Sequence, residues 1–208
     1  MSSKESEDYP VIIDGVRSPI VLKKSPLLGI RSDDLTAIII KKLIARNLEI
    51  SKSNIEDLVV GCAFPEGPQG MLMAKGISIL SNLPNETAAK IVNRFCGSSM
   101  DAVHQVSQAI QSNDYDCGIA AGVEDMFSVP MGGFNPSFNP ELYENEYYIG
   151  MGETAENLAK ELNISREDQE LFAINSHQKT LLAIHEGRFD NEIVPVEFNG
   201  VTVSIDEG

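Results

Sequence analysis

Val92-Asn93-Arg94-Phe95-Cys96-Gly97-Ser98-Ser99-Met100 is the stretch whose reading decides the fold. The apolar run 89–92 reads as a strand, and it enters a tight polar turn. From Cys96 a helical period begins and runs to about residue 112. Val103, Val106 and Ile110 fall on one face, and Asp101, His104, Gln108 and Gln111 on the other. Strand, turn and helix in so few residues predict that Cys96 sits at or near a helix N-terminus. Unsatisfied N–H groups and the helix dipole favour negative charge there. Both effects favour thiolate over a thiol whose free value is about 8.5. Gly97 and the two serines leave little bulk around the sulfur, so a carbonyl carbon could approach it. That is a nucleophile's setting. A buried core cysteine is the competing reading, and placement alone does not separate the two.

The same alternation extends outward. Residues 11–13 and 58–62 read as strands, 117–121 as another, and helices are predicted over 32–46 and 71–80. Ser32-Asp33-Asp34 opens the first helix with a capping residue and two carboxylates, and Lys41, Lys42 and Arg46 lie toward its C-terminal end. Strands alternating with helices over 9–122 indicate a layered α/β fold with a mixed, mainly parallel sheet. Cys62 and Cys117 fall in or beside strands, and core packing is the better reading of both. After Gly122 the pattern changes. Residues 126–149 are rich in Pro, Gly, Asn and aromatics without a period, as in a long functional loop. Helices are predicted over 153–162 and 166–186. The second is announced by Ser165 with Asp168 three residues on and stopped by Gly187. Residues 193–198 and 201–205 read as a hairpin around Asn199-Gly200.

Composition bounds the function. The chain has 208 residues, 42% of them hydrophobic, enough for one or two domains with a core. Residues 1–8 are polar and read as a disordered tail. The net charge of −15 is uneven: residues 1–122 hold 12 Lys/Arg against 14 Asp/Glu, and residues 123–208 hold 4 against 17. Such a field repels nucleic acid and anionic lipid. No apolar run suits membrane insertion, and the N-terminus does not resemble a signal peptide, so a cytoplasmic protein is expected. Three cysteines without metal-ligand spacing argue against a disulfide framework and against a metal site.

Asn93-Arg94-Phe95-Cys96-Gly97-Ser98-Ser99-Met100 resembles the nucleophile signature of thiolases, that of the fatty-acid-oxidising branch above all. Further blocks follow in the family's order. Ala120-Ala121-Gly122-Val123-Glu124-Asp125-Met126 with Val129-Pro130-Met131 is similar to its "AGGxExM…PM" stretch. Met151-Gly152-Glu153-Thr154-Ala155-Glu156-Asn157 is similar to its "MGxTAE" motif. Ile164-Ser165-Arg166-Glu167-Asp168-Gln169, Ser176-His177 and Gly187-Arg188-Phe189 through Val196 resemble later blocks. Each match is weak alone, and the ordered set is specific.

The resemblance implies the N-terminal half of a thiolase: an α/β half over 9–122, then an inserted α-rich loop domain that binds substrate, over 123–208, with the chain returning toward the core at its end. It implies acyl transfer between Cys96 and coenzyme A. A 3-ketoacyl-CoA would be cleaved to acetyl-CoA and a shortened acyl-CoA in fatty-acid degradation. The Cys96 backbone N–H would serve an oxyanion hole. Coenzyme A would be a substrate, and no tightly bound cofactor is implied. A homodimer or a dimer of dimers is expected. The family's second half, which carries the activating histidine, a second cysteine and an Asn/His pair, has no counterpart here. The chain therefore reads as a fragment that is inactive alone. Histidines 104, 177 and 185 match none of those motifs. Gly150 stands where short-chain biosynthetic thiolases have a histidine, which leaves room for longer chains and makes Gly150 and Met151 candidate substrate-binding residues. Core packing is the plainer account of Met71 and Met73. The alternatives are an acetoacetyl-CoA thiolase, a ketoacyl synthase of the same fold, and a non-catalytic folding or interaction unit.

Overall fold

The structure, a computed structural model, describes residues 9–207; the expected tail over 1–8 lies outside them. The chain forms two compact units. One comprises residues up to Phe134 together with Glu192 onward, and the other Asn135–Asn191.

The first unit is built on β1 (Asp57–Gly61), whose five residues are all buried. It pairs in parallel with β2 (Ala88–Val92) and with β3 (Gly118–Gly122), in the order β2-β1-β3. Parallel neighbours need crossovers, and helices α2 (Met73–Leu80) and α3 (Ser98–Gln111) supply them. A strand buried on both faces reads as a continuous apolar run, as Leu58-Val59-Val60 does. Alternate residues then point to opposite layers. Leu58 and Val60 pack with Ile40 of α1 (Ser32–Arg46) and with Met73, Ala74 and Ile77 of α2. Val59 packs with Ala102 and Val106 of α3. The result is a helix–sheet–helix sandwich in which Met73 is a core residue, as expected, while Met71 is fully exposed.

The sandwich is completed from the end of the chain. Strands β4 (Val196–Phe198) and β5 (Val201–Val203) form an antiparallel hairpin, turning at Asn199 and Gly200 with φ of 51° and 76°. Two positive φ values in succession suit the right-handed twist of a tight hairpin, and Asn-Gly accepts them at least cost. Val196 and Val203 pack with Leu27, and Leu35 and Ile39 of α1 close over them. Arg17 bonds Asp206 through two nitrogens at 2.7 and 2.8 Å and Glu192 at 2.6 Å, tying the two ends of this unit together.

Residues 11–13 form no strand, contrary to the sequence reading. Val11, Ile12 and Ile13 are 76%, 83% and 65% exposed. They line a groove of about 700 Å³ with Cys117, with Ile119 and Ala120 of β3 and with Val106 and Ile110 of α3. An apolar run signals a demand for burial, but a strand also needs a hydrogen-bonding neighbour.

The second unit holds α4 (Pro140–Glu144), α5 (Met151–Glu161) and α6 (Arg166–His185), none with a buried residue. Helix α4 lies in the stretch read as a loop; five residues are too few to display a period. Asn139 caps it, its Oδ1 accepting from Leu142 N at 3.2 Å. Phe138 and Tyr148 pack beside it with ring centroids 4.8 Å apart. Ser165 caps α6 as its spacing predicted, with Oγ accepting from Asp168 N at 3.1 Å. No helix among the described residues is long and apolar enough to cross a membrane.

Candidate active site

Cys96 lies in the turn between β2 and α3. The helix proper starts at Ser98, two residues later than the sequence reading set it. Four local hydrogen bonds shape the turn. Gly97 N donates to Arg94 O at 3.0 Å, and Ser98 N donates to Phe95 O at 3.0 Å. The buried Ser98 hydroxyl accepts from Arg94 N at 2.9 Å and donates to Phe95 O at 2.6 Å. Ser98 therefore braces the turn as well as being small. Phe95 has φ of 48°, a left-handed conformation rare for a bulky residue. Such strain persists only where the surroundings over-determine it, commonly at functional sites.

Two glycines bring α3 into place. A Cβ on Gly61, at the end of β1, would stand 2.5 Å from Ser99 N and overlap the Ser98 backbone. One on Gly122, at the end of β3, would lie 2.7 Å from Ser99 Cβ and overlap its hydroxyl. The start of α3 can thus press onto the carboxyl ends of two parallel strands, the end of an α/β sheet where ligands usually bind. The sequence held this signal, since both strands end in glycine.

The three thiols differ. Cys96 is exposed, Cys62 is buried and Cys117 is intermediate. Burial, and then the nearby Glu124 carboxylate, push the Cys62 thiol up to about 11. Burial and Glu56 also raise the Cys117 thiol. Of the three residues only Cys96 is exposed. A cysteine on an open turn ahead of a helix can attack a carbonyl carbon, while the Gly97 and Ser98 N–H groups are spent within the turn.

The other candidates lie elsewhere. Gly150 and Met151 belong to the second unit, where Gly150 N donates to Glu153 Oε2 at 3.0 Å and Met151 opens α5 with its side chain 69% exposed. His104 sits on α3 and is exposed; His177 and His185 sit on α6. Among the described residues no group of three His, Cys, Asp or Glu is arranged to hold a metal ion. What sequence reasoning missed is a polar web beside the turn. Gln69, fully buried, donates to Phe64 O and to Glu124 Oε1, both at 2.9 Å. Its only sequence signal is a glutamine in a Pro/Gly loop, which says nothing of partners distant in the chain.

An exposed cysteine on a braced turn over the end of a parallel sheet fits a cysteine-based acyl-transfer fold. The family comparison agrees: residues 10–208 match the model of the thiolase N-terminal domain. The chain belongs to the thiolase family. It is 44% identical over 190 residues to a 3-ketoacyl-CoA thiolase of Bacillus subtilis, covering 90% of this chain and 48% of that protein. It is 40% identical over 205 residues to one of Marinomonas, covering 95% and 52%. The chain thus spans about half the length of the curated relatives it matches. Among solved structures it resembles the Acat5 thiolase of Ascaris suum in complex with coenzyme A. The TM-score is 0.79 and the identity 31%, over 92% of this chain and 52% of that one.

Proposed function

We propose that this chain supplies the nucleophile half of an acyltransferase that cleaves 3-ketoacyl-CoA by thiolysis. The exposed Cys96, on a turn held against the ends of β1 and β3, carries this reading. The Cys96 thiolate adds to the keto carbon. The bond between that carbon and the α-carbon breaks, and the α-carbon of the departing acetyl-CoA takes up a proton. The acyl group stays on sulfur as a thioester. The thiol of a second coenzyme A then attacks this thioester, releasing a shortened acyl-CoA and restoring Cys96. The Cys96 backbone N–H helps to stabilise the negatively charged oxygen in the thioester-forming and thioester-cleaving steps.

In this proposal coenzyme A is a substrate and no tightly bound cofactor is needed. Residues 9–122 form the catalytic half, and 123–208 hold the loop domain and the return to the core, with Gly150 and Met151 as substrate-binding residues of the loop domain. Relatives named 3-ketoacyl-CoA thiolase support the substrate class, and a neighbour that binds coenzyme A supports the acyl carrier. The protein is placed in the cytoplasm, which suits three free cysteines. It is proposed to assemble as a homodimer or a dimer of dimers. The open outer edge of β2 supports this, since unpaired edges invite partners.

The test compares the 208-residue chain with a protein carrying both halves, assayed with acetoacetyl-CoA and a longer 3-ketoacyl-CoA. The expected result is no turnover by the chain alone and turnover by the longer protein. Cys96→Ala should cost the longer protein on the order of a thousandfold or more. Turnover by the chain alone would refute the division of labour, and preference for acetoacetyl-CoA would refute the reading of Gly150. Full activity without Cys96 would remove the nucleophile assignment.

A further inference from the structure

Glu124, just beyond the end of β3, is exposed as a residue, yet its carboxylate gathers donors from the loop that follows β1. Ala63 N donates to Oε2 at 2.6 Å. Oε1 receives Phe64 N at 3.3 Å, Gln69 Nε2 at 2.9 Å and the weak Cys62 thiol donor at 3.8 Å. Gln69 is anchored in turn, because its Oε1 accepts from Asp125 N at 2.5 Å and from the Ser32 hydroxyl at 3.3 Å. A carboxylate has acceptor sites for several such donors, whereas a neutral amide would turn N–H groups toward some of them.

The loop held this way reaches the nucleophile turn. Ala63 O accepts from Asn93 Nδ2 at 2.8 Å, and Asn93 Oδ1 accepts from Phe95 N at 2.9 Å. The rings of Phe64 and Phe95 lie 5.9 Å apart. Phe95 is the residue with the left-handed φ, immediately before Cys96. A continuous set of hydrogen bonds therefore runs from Glu124 through the 63–64 backbone and Asn93 to the strained residue of the turn. The links from Glu124 to Ala63 and from Ala63 to Asn93 join residues distant in sequence, and only the last, between Asn93 and Phe95, is local. Hydrogen-bond networks of this kind are coupled, and removing one member weakens the rest.

We propose that Glu124 is a positioning residue: through Ala63 and Asn93 it fixes the Phe95 backbone, and so fixes where the turn presents Cys96. The importance of this relay for catalysis rests on Cys96 being the nucleophile; the relay itself does not. It can therefore be tested on the 208-residue chain without any thiolase assay.

The measurement is the rate of Cys96 alkylation by iodoacetamide at pH 7, resolved by peptide mapping. Hydrogen–deuterium exchange over 93–98 and the urea midpoint accompany it. Glu124→Gln and Asn93→Asp are made singly and together, the latter keeping the acceptor for Phe95 N and losing the donor to Ala63 O. Ile40→Val, on the buried face of α1, controls for general loss of stability. A slackened turn presents the sulfur for less of the time, so each single variant should slow Cys96 by about threefold, the size of one modest hydrogen bond. Each should also raise exchange over 93–98. The double variant should be no slower than the slower single one, as members of one relay are non-additive. Ile40→Val should do none of this. If Glu124→Gln leaves the rate unchanged, if the two effects multiply, or if Ile40→Val reproduces them at an equal loss of midpoint, the relay is wrong. Should Glu124→Gln not fold, Asn93→Asp alone must slow Cys96 and raise exchange at residues 63 and 64, or the proposal fails. A relay that passes this test in a protein without thiolytic activity would leave the positioning role standing and remove only its catalytic purpose.

Discussion

The two units of the chain bury their residues very differently. In the first, β1 is wholly buried, α2 and α3 pack their apolar faces on it, and α1 packs on α2. In the second, α4, α5 and α6 carry no buried residue, and large apolar side chains stand open, Phe172 at 78% and Leu162 at 61%. Tertiary burial holds the first unit together. Caps and local pairs define the helices of the second, with Ser165 at the start of α6 and Arg166 paired with Glu170 at 2.8 Å. The lesson is that a helix can be plainly written in sequence and still gain little from the rest of its own chain.

Leu58→Ala attacks the contrast where its effect is greatest. Leu58 is fully buried between the sheet and α1 and α2. Its truncation should cost about 2–5 kcal/mol, seen in urea unfolding followed by exchange over β1 to β3. A cost under about 1 kcal/mol, too small for such a cavity, would mean that the first unit is not the burial-driven one.

Gly122→Ala comes next. The new methyl would meet the Ser99 side chain, so the start of α3 must move. Overpacking of this kind costs about 1–3 kcal/mol, and the alkylation rate of Cys96 should shift with it. An unchanged rate together with an unchanged midpoint would show that the glycine does not set the approach of α3.

Asp206→Asn probes the clasp between the ends of the first unit. The Arg17 hydrogen bond is the chief cause holding the Asp206 carboxyl below its ordinary value, with the Ile20 N–H adding to it. A lowered folded value means that the stabilisation is present above the unfolded carboxylate range and is lost as pH falls through the folded value. The variant should be less stable by about 1 kcal/mol at neutral pH, partial exposure of Arg17 screening the pair. The difference should begin to shrink near about pH 4, where unfolded-state carboxylates are half protonated, and close only as pH falls through the lower folded value. A gap that persists into strong acid would assign the loss to something other than charge.

The smallest effect belongs to the second unit. Phe172→Ala should change stability by no more than about 0.5 kcal/mol, as at other open surface sites. A cost like that of Leu58→Ala would mean that α6 is buried by a partner, and light scattering at several concentrations would then reveal association.

These regions also differ in what could be read in advance. The strands at 58–62 and 117–121 and the helix after Cys96 were legible because burial on both faces gives a continuous apolar run and burial on one imposes a period. The hairpin was legible because Asn199-Gly200 is chemically suited to its turn. Residues 11–13 carried the same apolar mark as a strand but found no ladder. Helix α4 carried only a start mark, Asn139 followed by Pro140, and five residues are too few to display a period.

The sequence by itself determined the alternating α/β order and the caps of α6, and it singled out Cys96 over Cys62 and Cys117 as the nucleophile to propose, because these depend on period, local hydrogen bonding and an ordered set of motifs. Tertiary structure alone decided that the backbone Gly61 and Gly122 admit is the start of α3. It also decided that Glu124, Gln69 and Asn93 meet around the Cys96 turn. Those contacts join residues up to 62 positions apart, such as Cys62 and Glu124. Only the pairing of β1 with β3 brings such positions together, and no local pattern encodes a distance across a sheet.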